Sequence, residues 1–200
     1  MGVYNDNVLP RLVDVALGRR FDPIRARVAH GLHGDVLEVG FGSGRNVPHL
    51  PSGVTRMHAV DPAVSARRLA VGRVAASTVP VDYIGLDGAR LALPDASVDH
   101  VLSTWTLCTI ADVEGALAEI YRVLRPNGSL HFIEHGRSPS RTISTWQRRL
   151  TPPWRKVAGG CHLDRPIATL IESSGMQLTR LDSYRLFRPE LLGWTYEGVA

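Results

Sequence analysis

Two groups of residues in this sequence have types and spacings that can do chemistry. The first is Glu38-Val39-Gly40-Phe41-Gly42-Ser43-Gly44, followed by Asp61 at the end of the next apolar run. Glycine tolerates positive φ and lets a ligand lie against bare backbone, so alternate glycines after a strand can form a ligand turn. A carboxylate at Asp61 can accept both hydroxyls of a ribose, and the same residue can equally cap a helix. The spacing argues against a dinucleotide, whose turn reads G-x-G-x-x-G, because Arg45 stands where the third glycine would be. The second group is Glu134-His135, His162 with Asp164, Cys108 and Cys161, and Trp105, Trp146 and Trp154. His135, Glu134 beside it, and His162 are candidates for general-base work; the alternative is that they order loops by hydrogen bonds. The two cysteines read as small packed residues. Tryptophans can wall an acceptor pocket or simply fill core.

These groups need elements to hold them. Asp35 to Val39 reads as a short apolar strand that runs into the glycine turn, after which the chain must turn into a helix. Val54–Val60, Val79–Ile84, Val98–Ser103 and Ser129–Ile133 read as further strands, with Ala63–Ala76 a helix after Asp61-Pro62. Asp112–Leu124 is the clearest helix: Val113, Ala116, Leu117, Ile120, Tyr121 and Leu124 form one apolar stripe, Asp112 can cap it, and Arg125-Pro126-Asn127-Gly128 stops it. Helical spacing also marks Val8–Leu17 and Pro23–His30. Beyond an irregular stretch come a helix over Ile167–Ser174 and strands over Met176–Ser183 and near Trp194–Glu197. Strands alternating with helices predict a mainly parallel sheet with helices on both faces.

Composition removes several classes of function. The chain has 200 residues, 44% hydrophobic and 21% charged, which fits a folded domain with a full core. Its net charge of +4 rests on arginines, Lys156 being the one lysine, and they are scattered, so nucleic acid is not the expected partner. No CxxC or histidine spacing suggests zinc, and no metal is expected. Met1 to Asp6 has neither the basic flank nor the apolar stretch of a signal peptide, and Asp6 stands where a myristoylation signal wants Ser or Thr. No apolar run approaches the roughly 20 residues of a membrane span. A cytoplasmic protein without a stable membrane anchor is the expectation.

The Glu38-to-Gly44 turn, Leu86-Asp87-Gly88-Ala89, the segment Pro94-Asp95-Ala96-Ser97-Val98-Asp99 and Leu124-Arg125-Pro126-Asn127-Gly128 together resemble the class I methyltransferases that use S-adenosyl-L-methionine (SAM) and release S-adenosyl-L-homocysteine. The resemblance implies an α/β, Rossmann-like fold: a mainly parallel seven-stranded sheet with helices on both faces and an antiparallel last strand. It implies cofactor contacts at Glu38, Gly40, Gly42, Gly44 and Asp61, adenine beside Asp87, Gly88 and Ala89, and the methionine end facing Thr104. Trp105-Thr106-Leu107-Cys108, Phe132-Ile133-Glu134-His135, Trp146-Gln147, Pro153-Trp154 and Gly160-Cys161-His162-Leu163-Asp164-Arg165 recur in order in the alkyl-thiol methyltransferase branch. That similarity implies one domain over residues 1–200: an N-terminal helical lid at 1–33 with Tyr4 over the site, a SAM-binding core at 34–135, and an acceptor side at 136–200. A small-molecule acceptor is expected, a thiol or, alternatively, the oxygen, carbon or nitrogen of a phenol, quinone or lipid amine. A SAM-binding protein without chemistry is the alternative from another class. The vertebrate branch members carry an apolar N-terminal anchor that this sequence does not show.

Overall fold

The computed structural model describes residues 8–200. Strand β1 (Gly34–Val39) forms where apolar residues point to both faces, as in a strand covered on each side. Parallel to it run β2 (Val54–Val60), β3 (Val81–Gly85), β4 (Val98–Thr104) and β5 (Leu124–His135). The last strand, β7 (Trp194–Val199), is antiparallel and lies between β5 and β6 (Arg180–Arg185). The sheet order is β3-β2-β1-β4-β5-β7-β6. Order reverses between β1 and β4, and open α/β sheets bind ligands outside the carboxyl ends of the strands at such a switch.

Two cores flank the sheet. On one face Leu37, Val39, Val101, Leu130 and Phe132 meet Leu117 and Ile120 of α4 (Val113–Val123) and Ile167 and Ile171 of α6 (Ile167–Ser173). On the other, Val36, Met57, Leu102 and Ile133 meet Val28 of α2 (Asp22–Ala29) and Ala70 of α3 (Val64–Ala75). The remaining helices are α1 (Leu9–Ala16), α5 (Arg141–Val157) and the single turn α7 (Glu190–Gly193).

Several local expectations change. The chain leaves the glycine turn through one 3-10 turn, Val47–His49, which Pro51 cannot extend because it has no amide to donate. The stretch before Ile167 is not irregular: α5 occupies 17 residues of it, with Ser140 accepting from the Ile143 amide at its start. Pro152 and Pro153 inside α5 hide that helix from a propensity reading. Tyr121 leaves the α4 stripe and is exposed, while Asp112 does cap the helix through the Gly115 amide at 2.9 Å. The sixth strand begins four residues later than Met176, at Arg180. No residue of α1 is buried; Val8, Leu12 and Val13 of the expected apolar stripe are exposed.

Helix α2 is pinned to the sheet at two points that do not involve the site. Arg27 donates to both oxygens of Glu197 on β7, at 2.7 and 2.6 Å. The Val28 carbonyl accepts from His131 Nδ1 at 2.9 Å. This fixes a proton order. With Nδ1 donating, His131 Nε2 accepts from Ser129 Oγ, which in turn accepts from His100 Nδ1 at 2.8 Å. Burial disfavours the charged form of both histidines. Burial pushes His131 below its usual pKa, and burial together with the positive potential of His131 and His33 pushes His100 down to about 4. The unfolded chain therefore binds these protons first. Stability is full above the unfolded histidine pKa of about 6.5 and falls as pH drops from there toward 4. Thermal unfolding at successive pH values will show this decline, and His100→Asn with His131→Gln will flatten it. An equal slope in wild type and double variant between pH 6.5 and 4 would assign the decline to other groups.

Candidate functional site

The turn after β1 demands glycine three times: Gly40, Gly42 and Gly44 have φ of 82, 53 and 71°. Their surroundings differ. A Cβ at Gly40 would collide with the Thr106 side chain, and one at Gly44 would press on Phe41 and Ala70 at 3.1 to 3.3 Å. At Gly42 the nearest atom lies 3.9 Å away, so this glycine opens onto free space where a ligand can rest on backbone.

Asp61 ends β2 beside this space and is 7% exposed. Its Oδ2 accepts from the Gly42 amide and its Oδ1 from the Ala63 amide, both at 2.7 Å. Burial raises its pKa, and the two amides oppose that rise. Each oxygen keeps a lone pair for a hydroxyl donor. Beyond β3, Asp87 is exposed and turns one oxygen to the Ala89 amide at 2.9 Å, and Gly88 packs against Val39 and Ile110.

Glu38, at the end of β1, is fully enclosed. Its Oε1 accepts from Asn46 Nδ2 at 2.6 Å and its Oε2 has no partner among the described residues. Burial lifts its pKa to about 8, against the opposing pull of Asn46 and Arg25. Asn46 also donates to Thr104 Oγ1 at 3.0 Å. Buried Arg25 reaches the same cluster from α2, donating to Asn46 Oδ1 at 3.1 Å and lying 4.9 Å over the Trp105 ring. Helix α1 is clamped to the turn from outside: Asp14 accepts from Ser43 Oγ and from Arg45 Nε at 2.8 Å. Although burial alone would raise it, these donors hold the Asp14 pKa near 2.

The second group of candidate residues starts at the ends of β4 and β5. Glu134 has no exposure, and it accepts from Ser103 Oγ at 2.8 Å and from the Thr106 and Cys108 amides at 3.0 and 3.2 Å. It therefore organises the segment after β4. His135, 8% exposed, has Nδ1 3.5 Å from Cys161 Sγ and a buried Nε2 with no partner among the described residues. The neighbouring Cys108 thiol and His135 pull the Cys161 thiol well below its ordinary pKa, and Trp154 lies against it as well. His162 does not pair with Asp164. Its Nδ1 faces Arg165 at 2.9 Å and the Cys108 carbonyl at 3.3 Å, while Asp164 accepts from Thr151 at 2.9 Å. Burial and the two arginines Arg165 and Arg155 lower the His162 pKa.

The three tryptophans separate. Trp105 adopts φ 52° and stacks obliquely on Phe21, with centroids 5.5 Å apart, at the Glu38 cluster; Trp154 is with Cys161. Trp146 is 52% exposed on α5, in a cavity of about 300 Å3 with Ile143, Leu150 and Leu191. Tyr4 lies outside the described residues. Arg25, Asn46 and Asp14 escaped the sequence reading. Asn46 had a signal, as a polar residue two positions past the last glycine; Arg25 and Asp14 had none, since only tertiary packing brings them in.

A methyltransferase domain model matches residues 37–132. Human thiol S-methyltransferase TMT1A is 30% identical over 80% of this chain and 69% of its own length; human TMT1B is 34% identical over 82% and 66%. This chain thus spans about two thirds of those relatives. A ubiquinone biosynthesis O-methyltransferase of Rhizobium rhizogenes is 28% identical over 74% and 62%. Among solved structures, a SAM-dependent methyltransferase from Aquifex aeolicus superposes with a TM-score of 0.67 at 19% identity, covering 96% of this chain and 97% of that one. The fold and the comparisons define a class I SAM-dependent methyltransferase. Within that class, the chain belongs to the family of the thiol S-methyltransferases. Among the described residues, no helix is long and apolar enough to cross a membrane.

Removing the Glu134 carboxylate leaves three donors without that partner, two of them in buried hydrogen bonds. Glu134→Ala is expected to cost about 3 kcal/mol or more in urea unfolding. An unchanged midpoint would mean that packing alone holds the segment after β4.

Proposed function

We propose that this enzyme transfers the SAM methyl group to a small thiol. The observation that carries the acceptor reading is the unpartnered, buried Nε2 of His135 at the carboxyl end of β5. A sulfonium is already an activated leaving group, so the bound cofactor supplies the methyl and most of the driving force. What remains for the chain is alignment, worth roughly 7–11 kcal/mol in favourable cases, and removal of one proton.

Asp61 takes the ribose hydroxyls on its free lone pairs, with Gly42 as the floor. Gly40 and Gly44 shape the turn. Asp87, Gly88 and Ala89 line the adenine, and Glu38 and Thr104 face the methionine end. His135 Nδ1–H donates to the Cys161 thiolate, which leaves Nε2 as the base directed at the acceptor. Glu134 positions Thr106 and Cys108, and His162 acts through the loop it shares with Arg165. Of the aromatic residues, Trp105 and Trp154 are favoured as acceptor walls over Trp146, whose ring faces solvent. The described part of the N-terminal segment, residues 8–33, serves as a lid over this region, held at Ser43 and Arg45 by Asp14. The named thiol S-methyltransferase relatives support the thiol, and a thiol with pKa about 8.5 needs only modest help to ionise. A cytoplasmic setting fits two free cysteines and the lack of a membrane-spanning helix among the described residues.

Release of S-adenosylhomocysteine is to be measured with short-chain thiols, phenols, quinols and amines. Thiols should turn over fastest; preference for a phenol or quinol would replace the acceptor, and binding without turnover of any class would replace the enzyme by a sensor. His135→Ala should slow thiol transfer most below pH 8.5, where the acceptor holds its proton. A pH profile parallel to wild type would remove His135 as base. Asp61→Ala should weaken SAM binding by about tenfold or more, through loss of charged hydrogen bonds. Unchanged affinity in a calorimetric titration would end the ribose assignment.

A further inference from the structure

The two cysteines of this chain come from separate segments that the fold presses together around them. Cys108, in the segment after β4, is 2% exposed, while Cys161, in the loop after α5, is partly open to solvent. The residues on both sides of Cys161 touch the backbone at and after Cys108. The His162 amide donates to the Cys108 carbonyl at 2.8 Å, and a Cβ at Gly160 would stand only 3.0 Å from the Thr109 carbonyl oxygen. Arg165 ties the same two segments further along, through the carbonyls of Leu107 and, at 2.8 Å, Ile110. Between these contacts the two thiols meet in a hydrogen bond of their own. Backbones this close leave the pair able to close a disulfide with little movement. The thiols are not equivalent. Contact with Cys108, and with His135 Nδ1 at 3.5 Å, lowers the Cys161 pKa to about 5, whereas Cys108, enclosed beside that anion, is held protonated. In thiol–disulfide exchange an accessible thiolate attacks and a second thiol resolves the product.

We propose that Cys161 and Cys108 form an exchange site for small disulfides, and that closing their own disulfide halts methyl transfer. The second half rests on the reading under Proposed function: a pocket that admits a small thiol also admits its disulfide, RSSR. The Cys161 thiolate attacks one sulfur, the S–S bond of RSSR breaks, one thiolate leaves and a Cys161–S–SR bond forms. With the Cys161 anion gone, the main cause that held Cys108 protonated is gone too. Cys108 then attacks the Cys161 sulfur, and its proton goes to the second leaving thiolate. The two cysteines thus give two electrons to RSSR, which departs as one thiol and one thiolate that takes its proton from water. The new disulfide removes the thiolate that faces His135 Nδ1, and with it the proton order that leaves Nε2 as base. Excess thiol reverses both steps.

The test treats the reduced full chain with bis(2-hydroxyethyl) disulfide, alkylates it with N-ethylmaleimide and weighs it by mass spectrometry. Wild type should lose two hydrogens, keep neither adduct nor label, and yield a peptide cross-linked between Cys108 and Cys161. Cys108→Ala should stop with the hydroxyethylthio group on Cys161, and Cys161→Ala should leave Cys108 a thiol. Oxidised wild type should release S-adenosylhomocysteine with a thiol acceptor only after a lag. Its initial rate should be about tenfold or more below that of the reduced enzyme, a fraction of what a positioned base contributes. Treatment with a phosphine reductant beforehand should abolish the lag. Wild type that does not react, or that keeps the adduct unresolved, overturns the exchange site without any variant. So does a Cys161→Ala protein that still reacts. A cross-link that leaves the initial rate unchanged overturns its control of methyl transfer. Cross-linking in a chain that methylates no thiol would keep the exchange site and remove the thiol acceptor, and the rate comparison then passes to the acceptor that does turn over.

Discussion

The hydrogen bond from the Gly42 amide to Asp61 joins the ends of β1 and β2 at 2.7 Å, and much of the site follows from it. A carboxylate buried at a strand end must find donors, and here backbone amides supply them. For the Gly42 amide to face Asp61, the chain has to leave β1 through left-handed residues, which only glycine adopts without cost. The same logic recurs along this edge. Glu38 ends β1 on an asparagine amide, and Glu134 near the end of β5 takes a hydroxyl and two amides. None of the three forms a salt bridge among the described residues.

The N-terminal helices matter because they close this edge from two sides. Asp14 of α1 reaches the outside of the glycine turn through Ser43 and Arg45, and α2 delivers Arg25 to the inside. Arg45, the residue that argued against a dinucleotide, is thus a fastening point for the segment that precedes the sheet. The exposed apolar residues of α1 show that this helix owes its position to polar contacts at the turn more than to burial.

What could be read in the sequence was what local rules govern. The β1 turn, the parallel strands and α4 each follow from a short run of residues whose pattern has one good solution. So do the three glycines, each in a conformation that demands its type. Helix α5 was not legible, because Pro152 and Pro153 and the absence of acidic residues mask a helix that tertiary packing of Gln147 and Thr151 sustains. Arg25 was not legible for another reason. It reaches Asn46 from α2, a contact made in the folded interior and not by any spacing along the chain. The His162–Asp164 pairing failed likewise: adjacency suggested it, and Arg165 displaced it.

The two halves of the site are mechanically one piece. Gly40 has no side chain because Thr106 occupies that space, and the Thr106 amide is held by Glu134. Glu134 holds Cys108 as well, and the Cys108 carbonyl accepts the His162 amide at 2.8 Å, beside Cys161 and His135. A continuous path of close contacts therefore runs from the glycine turn to the loop around Cys161 and His162. Any side chain larger than hydrogen at position 40 would push Thr106, and through Glu134 it would shift the groups around Cys108 and His162. The first glycine of the turn is thus constrained twice, by its own backbone angle and by the alignment of two reactants on which methyl transfer depends. That second constraint is invisible in the turn's spacing, and it explains how a nucleoside-binding motif can set the geometry of a reaction several residues beyond its ligand.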